Sequence, residues 1–155
     1  MRKARAKKKP LLPDPRFGDT MVTRFVNTLM DDGKKTVAYR IFYDAVDRVE
    51  ETTKENGYDI WKRAIENITP SVEVRSRRVG GATFQIPSEV RPTRKLYLAV
   101  TWLIRYAGDR NGKSMAEKLA SEIVAASKGE GAAFKKKEDT HKMADANKAF
   151  AHFKV

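Results

Sequence analysis

The residues best suited to do chemistry in this chain are arginines. Arg75, Arg77 and Arg78 stand close together, and Arg91, Arg94 and Lys95 follow after a short interval. A guanidinium is planar, permanently charged and able to grip a phosphate through two parallel N–H groups, which an ammonium cannot do. Phe84, between the two clusters, offers a face on which an unpaired base can stack. The same charges would also protect a solvated strand edge from pairing with another chain. Lys34-Lys35 opens a helix, where a cation is mildly disfavoured by the helix dipole. A phosphate contact and an ordinary surface pair are the two readings there. Lys135-Lys136-Lys137 poses the same question, but Glu138 and Asp139 follow directly and partly neutralise the run.

Catalysis has little to work with. His141 and His152 are the only histidines, and on one continuous helix they would share a face roughly 16 Å apart, too far to ligate one metal. Asp139 and Asp145 lie beside His141, but no nucleophile is indicated. Neither Gly80-Gly81 nor Gly129-Glu130-Gly131 is followed by the Gly-Lys-Ser/Thr of a phosphate loop. The absence of cysteine excludes disulfides, zinc ribbons and thiol catalysis, and fits a reducing compartment. The expectation is a protein that is not an enzyme and uses no cofactor, metal or small-molecule substrate.

Charge points instead to a polyanion. The chain has 155 residues, enough for one domain with a real core, and carries a net charge of +12 with 34 % of its residues charged. Such an excess repels itself on folding and favours nucleic acid or, as the rival, an anionic membrane surface. The longest apolar run, Leu98 to Ile104, is broken by Thr101 and falls well short of the about 18 residues a membrane span needs. Leu11-Leu12 is followed at once by Pro13-Asp14-Pro15, so the basic start has no apolar stretch of a signal peptide. This reads as a soluble cytoplasmic protein with no membrane partner.

The elements that must position these charges follow from periodicity. Residues 1–18 read as an extended, disordered basic tail. Arg2, Lys3, Arg5, Lys7, Lys8 and Lys9 come without an acidic neighbour, and Pro10, Pro13 and Pro15 forbid a regular helix. Residues 19–155 read as a single helical domain. Met21, Val22, Phe25, Val26, Leu29 and Met30 share a helix face, with Asp19 as N-cap and Gly33 as terminator. A second helix runs from about Lys34 to Lys54, with Val37, Ala38, Ile41, Phe42, Ala45 and Val49 inward and Asp47, Glu50, Glu51 and Glu55 outward. Trp61, Ala64, Ile65 and Ile68 mark a third, between Asn56-Gly57 and Pro70.

Residues 71–88 change period. Two β-prone runs around Gly80-Gly81 predict a hairpin in which Val79 faces Ala82, Arg77 faces Phe84 and Arg75 faces Ile86. Neither face is cleanly apolar, and a lone hairpin is marginal in water, so an arm projecting onto a partner is the expectation. Pro92 starts the next helix, apolar from Leu96 to Ala107 and ended by Gly108. Ser114 to Glu117 matches a capping box, ahead of Met115, Leu119, Ala120, Ile123 and Val124. A last helix from roughly Lys136 carries Met143, Asn147, Phe150 and Phe153 at helical spacing. The fold class is mainly all-α: a helical bundle of about six helices with a protruding β-hairpin arm and a disordered basic N-terminal tail.

Three stretches carry a resemblance. DTMVTRFVNTLMDDGKKTVAYRIFYDA (residues 19–45), VEVRSRRVGGATFQIPSEVRPTRK (72–95) and GEGAAFKKKEDTHKMADANKAFAHFK (129–154) are similar to the bacterial-type small-subunit ribosomal protein seven family, the step Asp139-Thr140-His141-Lys142-Met143-Ala144 being the most specific. The resemblance implies a structural constituent of the small ribosomal subunit that binds the 3′ major domain of 16S rRNA and nucleates assembly of the 30S head. It implies a position at the subunit interface near the E-site tRNA and the mRNA exit, beside ribosomal proteins nine and eleven. Carried over residue by residue, it makes rRNA contacts of Arg2, Lys3, Arg5, Lys7, Lys8, Lys9, Lys34, Lys35, Arg75, Arg77, Arg78, Arg91, Arg94 and Lys95. Val79, Gly80, Gly81 and Ala82 are implied to approach tRNA, and His141, Lys142 and Lys148 to face tRNA or a neighbouring protein. Residue chemistry alone leaves a basic architectural DNA-binding protein as the alternative; the resemblance selects ribosomal RNA.

Overall fold

The computed structural model describes residues 9–153, of which Val79 and Phe153 are described by backbone alone. The chain divides into two compact units, Met1–Arg40 and Ile41–Val155.

In the first unit Asp14 organises the proline-rich segment. Its buried carboxylate accepts the backbone N–H groups of Arg16 (3.0 Å) and Phe17 (2.9 Å), which turns the chain back on itself. The Thr23 hydroxyl donates to the Leu12 carbonyl at 2.8 Å, so residues 12–18 are tied to the first helix rather than extended. α1 (Thr20–Leu29) begins as the sequence predicts, the Asp19 carboxylate accepting the Met21 N–H. It ends before Gly33, however. Asp32 (φ 50) and Gly33 (φ 73) form a left-handed turn that leads into the next helix, so the glycine serves the start of α2 rather than the end of α1.

α2 (Lys35–Thr53) buries Ala38, Phe42, Ala45, Val46 and Val49. These recur at i, i+4, i+7, i+8 and i+11, one stripe of a 3.6-residue helix. Val37 lies off that stripe and is 49 % exposed, against the inward place its type suggested; Val46 takes the place instead. Asp47, Glu50, Glu51 and Glu55 face out as expected.

The second unit is a helical bundle. α3 (Gly57–Ile68) starts where the Asn56 side chain accepts the N–H groups of Tyr58 and Asp59. Gly57 is required there, because a Cβ would lie 2.3 Å from the Val46 carbonyl oxygen. Trp61, fully buried, meets Phe42 edge-on with ring centroids 5.2 Å apart. α4 (Pro92–Gly108) and α5 (Met115–Ser127) pack on α3 and on each other. Ser114 caps α5 by accepting the Glu117 N–H, while the Glu117 carboxylate reaches back to the Lys113 N–H, one residue earlier than in the usual capping box.

α6 (Ala132–Ala146) begins a full turn before Lys136. The cause is Glu122 of α5, which is fully buried: one carboxylate oxygen accepts the Ala133 N–H at 2.8 Å, and the other is bound by the Arg110 guanidinium. Gly131 (φ 92) gives this carboxylate room, since a Cβ there would lie 2.9 Å from Glu122 Oε1. The helix then stops earlier than the apolar spacing predicts. The Asn147 side chain donates to the Met143 carbonyl, and a 3-10 helix (Lys148–Phe153) follows, leaving Met143 exposed. Asn67, at the end of α3, joins three helices: its side-chain amide donates to the Ala126 and Ser127 carbonyls and its backbone carbonyl accepts from Lys137 Nζ.

Removing Glu122 therefore uncaps α6 and strands the Arg110 charge. Glu122→Ala is expected to cost about 3–5 kcal/mol in chemical denaturation, whereas Glu51→Ala on the exposed face of α2 should change stability by less than about 0.5 kcal/mol.

Candidate nucleic-acid interface

The hairpin that carries the arginines forms as the sequence predicts. β1 (Val72–Val79) pairs antiparallel with β2 (Ala82–Glu89), with Arg75 opposite Ile86, Arg77 opposite Phe84 and Val79 opposite Ala82. Gly80 (φ 57) and Gly81 (φ 88) both take the left-handed backbone that this tight turn requires.

Its root, unlike its tip, is docked. β1 packs against α6, and β2 against the 3-10 helix. Ile86 and Val90 are buried, and Ser71 and Val90 close the base through a backbone hydrogen bond of 3.0 Å. The face that mixes guanidinium with apolar groups is the inward one. Phe84 is half-buried, its ring 5.3 Å from that of Phe150, so it serves the hairpin's anchorage rather than standing open to a base. Beyond the root, residues 75–78 and 80–83 are exposed wherever their side chains are described.

What allows that face to turn inward is Glu73. Its side chain is only 8 % exposed; one oxygen accepts from Arg75 Nε at 2.8 Å, the other from Arg94 Nε at 2.7 Å. Burial works to raise this carboxyl, but the hydrogen bonds and charges of Arg94 and Arg75 outweigh it and hold it below the ordinary 4.5. Two predicted phosphate contacts, one on the hairpin and one on α4, are thus joined through a carboxylate between them. Sequence reading passed over Glu73. The available signal was its spacing: two residues before Arg75 on a strand, it must share that arginine's face.

The other predicted residues fall into distinct settings. Arg77 and Arg78 are exposed on opposite faces of β1. Arg91 is exposed at the N-cap of α4, and Lys95 is half-buried in its first turn. Gly80, Gly81 and Ala82 form the exposed tip with the backbone of Val79. Lys142 and Lys148 are exposed. His141 is half-buried, and its Nε2 accepts the Ser71 N–H at 3.1 Å, so α6 holds the hairpin base through this ring. The two histidines do not share one helix, His152 lying in the 3-10 segment. In the first unit Lys9 is exposed, Lys34 pairs loosely with Asp32 at 3.6 Å, and Lys35 Nζ lies 5.7 Å from the centre of the Tyr39 ring. Arg2, Lys3, Arg5, Lys7 and Lys8 lie outside the described residues.

Among the described residues no group of three or more histidines and carboxylates could hold a metal ion, and no helix is long and apolar enough to cross a membrane. A basic hairpin, anchored at its root and exposed at its tip, offers a surface for a polyanion.

Comparison with known proteins agrees with that chemistry. Residues 1–148 match the family described as Ribosomal protein S7p/S5e. The chain is 64 % identical over 154 residues to "Small ribosomal subunit protein uS7" of Cytophaga hutchinsonii, covering 99 % of both chains. It is 63 % identical over 157 residues to the protein of the same description in Flavobacterium psychrophilum, again at 99 % of both. It is 57 % identical over 155 residues to that of Amoebophilus asiaticus, at 100 % of both.

The His141 contact makes the hairpin root sensitive to acid. Burial and the charge of Lys137 hold the imidazole below its ordinary 6.5, with Asp145 pulling the other way. As pH falls through about 6.5 the unfolded chain takes up the proton first, so this stabilisation is present above that value and is lost as pH falls through the folded value. Glu73, also depressed, loses its contribution only below 4.5. Melting temperature should therefore fall in two separate stages from about pH 8 to about pH 3, and His141→Asn should remove the upper stage alone.

Proposed function

The chain belongs to the ribosomal protein S7p/S5e family, and on that premise we propose that its anchored hairpin and the adjoining start of α4 grip ribosomal RNA during assembly of the small-subunit head. The protein is a structural, non-enzymatic component of the small ribosomal subunit and binds 16S rRNA. The observation that carries the finer reading is the separation within the arm. Glu73, His141 and Phe150 secure the root, while Arg77, Arg78 and Arg91 stay exposed around it.

Fixed guanidinium groups neutralise phosphates and set register without reading sequence, and the helical bundle supplies a shape that matches a folded RNA junction. In this reading the 3′ major domain of 16S rRNA is the first partner, and the protein nucleates the 30S head there. The glycine tip at residues 79–82 points toward E-site tRNA and the mRNA exit. Lys142 and Lys148, beside the hairpin root, face tRNA or the neighbouring ribosomal proteins nine and eleven. The basic residues before Lys9 add further phosphate contacts.

The test is filter binding of an RNA fragment spanning the 3′ major domain, across a salt series. Arg77→Ala/Arg78→Ala should weaken binding by more than about tenfold and lower the slope of log affinity against log salt by about 2. The melting temperature should move by less than about 2 °C. Arg75 is spared in this variant because its guanidinium compensates the buried Glu73. Unchanged affinity would overturn the role given to the arm, and equal affinity of the wild-type protein for duplex DNA at the same salt would favour an architectural DNA-binding role instead.

A further inference from the structure

α4 presents a second, outward face that the arginine arm does not account for. Its buried residues, Ala99, Val100, Leu103 and Ala107, define one side of the helix. At 3.6 residues per turn, the exposed residues Arg94, Tyr97 and Arg105 fall within an arc of about 80° on the opposite side, with the half-buried Thr101 between them. Tyr97 is 56 % exposed, the one exposed aromatic among the described side chains, and its ring rests on no other aromatic group there. A tyrosine so placed leaves more than half of its surface open to a ligand.

Its flanks are cationic. Arg105 is exposed and has no carboxylate partner among the described residues. Arg94 donates through Nε to Glu73, which leaves its two terminal nitrogens outside that pair and fixes the direction in which they point. By helix rise, Tyr97 stands about 4.5 Å along the axis from Arg94 and about 12 Å from Arg105. An aromatic face between two guanidinium groups is the arrangement that holds a single nucleotide strand, with a base on the ring and the phosphates on the cations.

We propose that this stripe of α4 captures an unpaired nucleotide of the bound RNA, its base stacked on Tyr97 and its flanking phosphates held by Arg94 and Arg105. The inference rests on the RNA-binding reading above and adds to it a class of target. A paired base in a duplex has no free face to offer, so the ligand is a loop, bulge or strand end. Every base has a π face, so the site is tolerant of base identity.

The experiment uses the full chain and the same 3′ major-domain fragment. Tyr97→Ala should weaken binding by about tenfold with the salt slope unchanged and the melting temperature held, while Tyr97→Phe retains wild-type affinity. Arg105→Ala should lower the salt slope by about one. Wild-type affinity in Tyr97→Ala overturns the stacking site, as does an equal loss in Tyr97→Phe, which would assign the effect to the hydroxyl. Either result leaves the RNA reading intact provided the unaltered protein prefers the RNA fragment to duplex DNA; loss of that preference in the wild type would instead bring down the reading on which the site rests.

Discussion

The carboxylate of Glu73 lies between the guanidinium groups of Arg75 and Arg94, and the placement of the basic surface depends on it. A two-stranded ribbon has no interior of its own. It can project rigidly only if its first residues are held by something else. Glu73 does this while neutralising one of the two charges it binds. It binds β1 to α4 with charge-assisted hydrogen bonds, it leaves a net single positive charge on the cluster, and its fixed position sets the directions of both arginines. An apolar residue in its place would leave two guanidinium groups repelling each other at the root.

The same economy of acidic groups recurs elsewhere in the chain. A chain with a net charge of +12 gains most from carboxylates placed where they also satisfy backbone or cationic groups. Glu122 binds Arg110 and begins α6, and Asp14 turns the segment ahead of α1. The buried core of the second unit includes many small side chains beside its larger ones: Ala45, Ala64, Ala99, Ala107, Ala116, Ala120, Ala126, Ala133 and Ala144. Small residues let helices approach closely while the long cationic side chains are left to the surface.

Local signals in the sequence were read correctly where a single short-range constraint decides the structure. The register of the hairpin follows from two glycines that must both take positive φ and from strand alternation. Asp19 and Ser114 cap their helices through neighbours two and three residues away. The larger departures involve distant partners, whereas the Asp32-Gly33 turn, the exposure of Val37 and the Asn147 contact that stops α6 are local. α6 starts early because of a carboxylate on another helix, and Phe84 is covered because the 3-10 segment folds back onto β2. The arginines of the candidate site were legible as positions, but their pairing through Glu73 spans 21 residues and has no local pattern. Charge pointed to a polyanion; the choice of ribosomal RNA came from family likeness.

Sequence distance also imposes an order on the arm during synthesis. Glu73 and Arg94 are 21 residues apart, whereas Ser71 waits for His141 across 70. A nascent chain grows at about 5–20 residues per second, so the hairpin is fastened to α4 early and stays unsupported on its α6 side for roughly 2 to 9 seconds more. The closing contacts are long-range ones, the costliest to form. The arm is thus finished as a sequence well before it is finished as a rigid object, and its last fastening waits for α6 and the 3-10 helix.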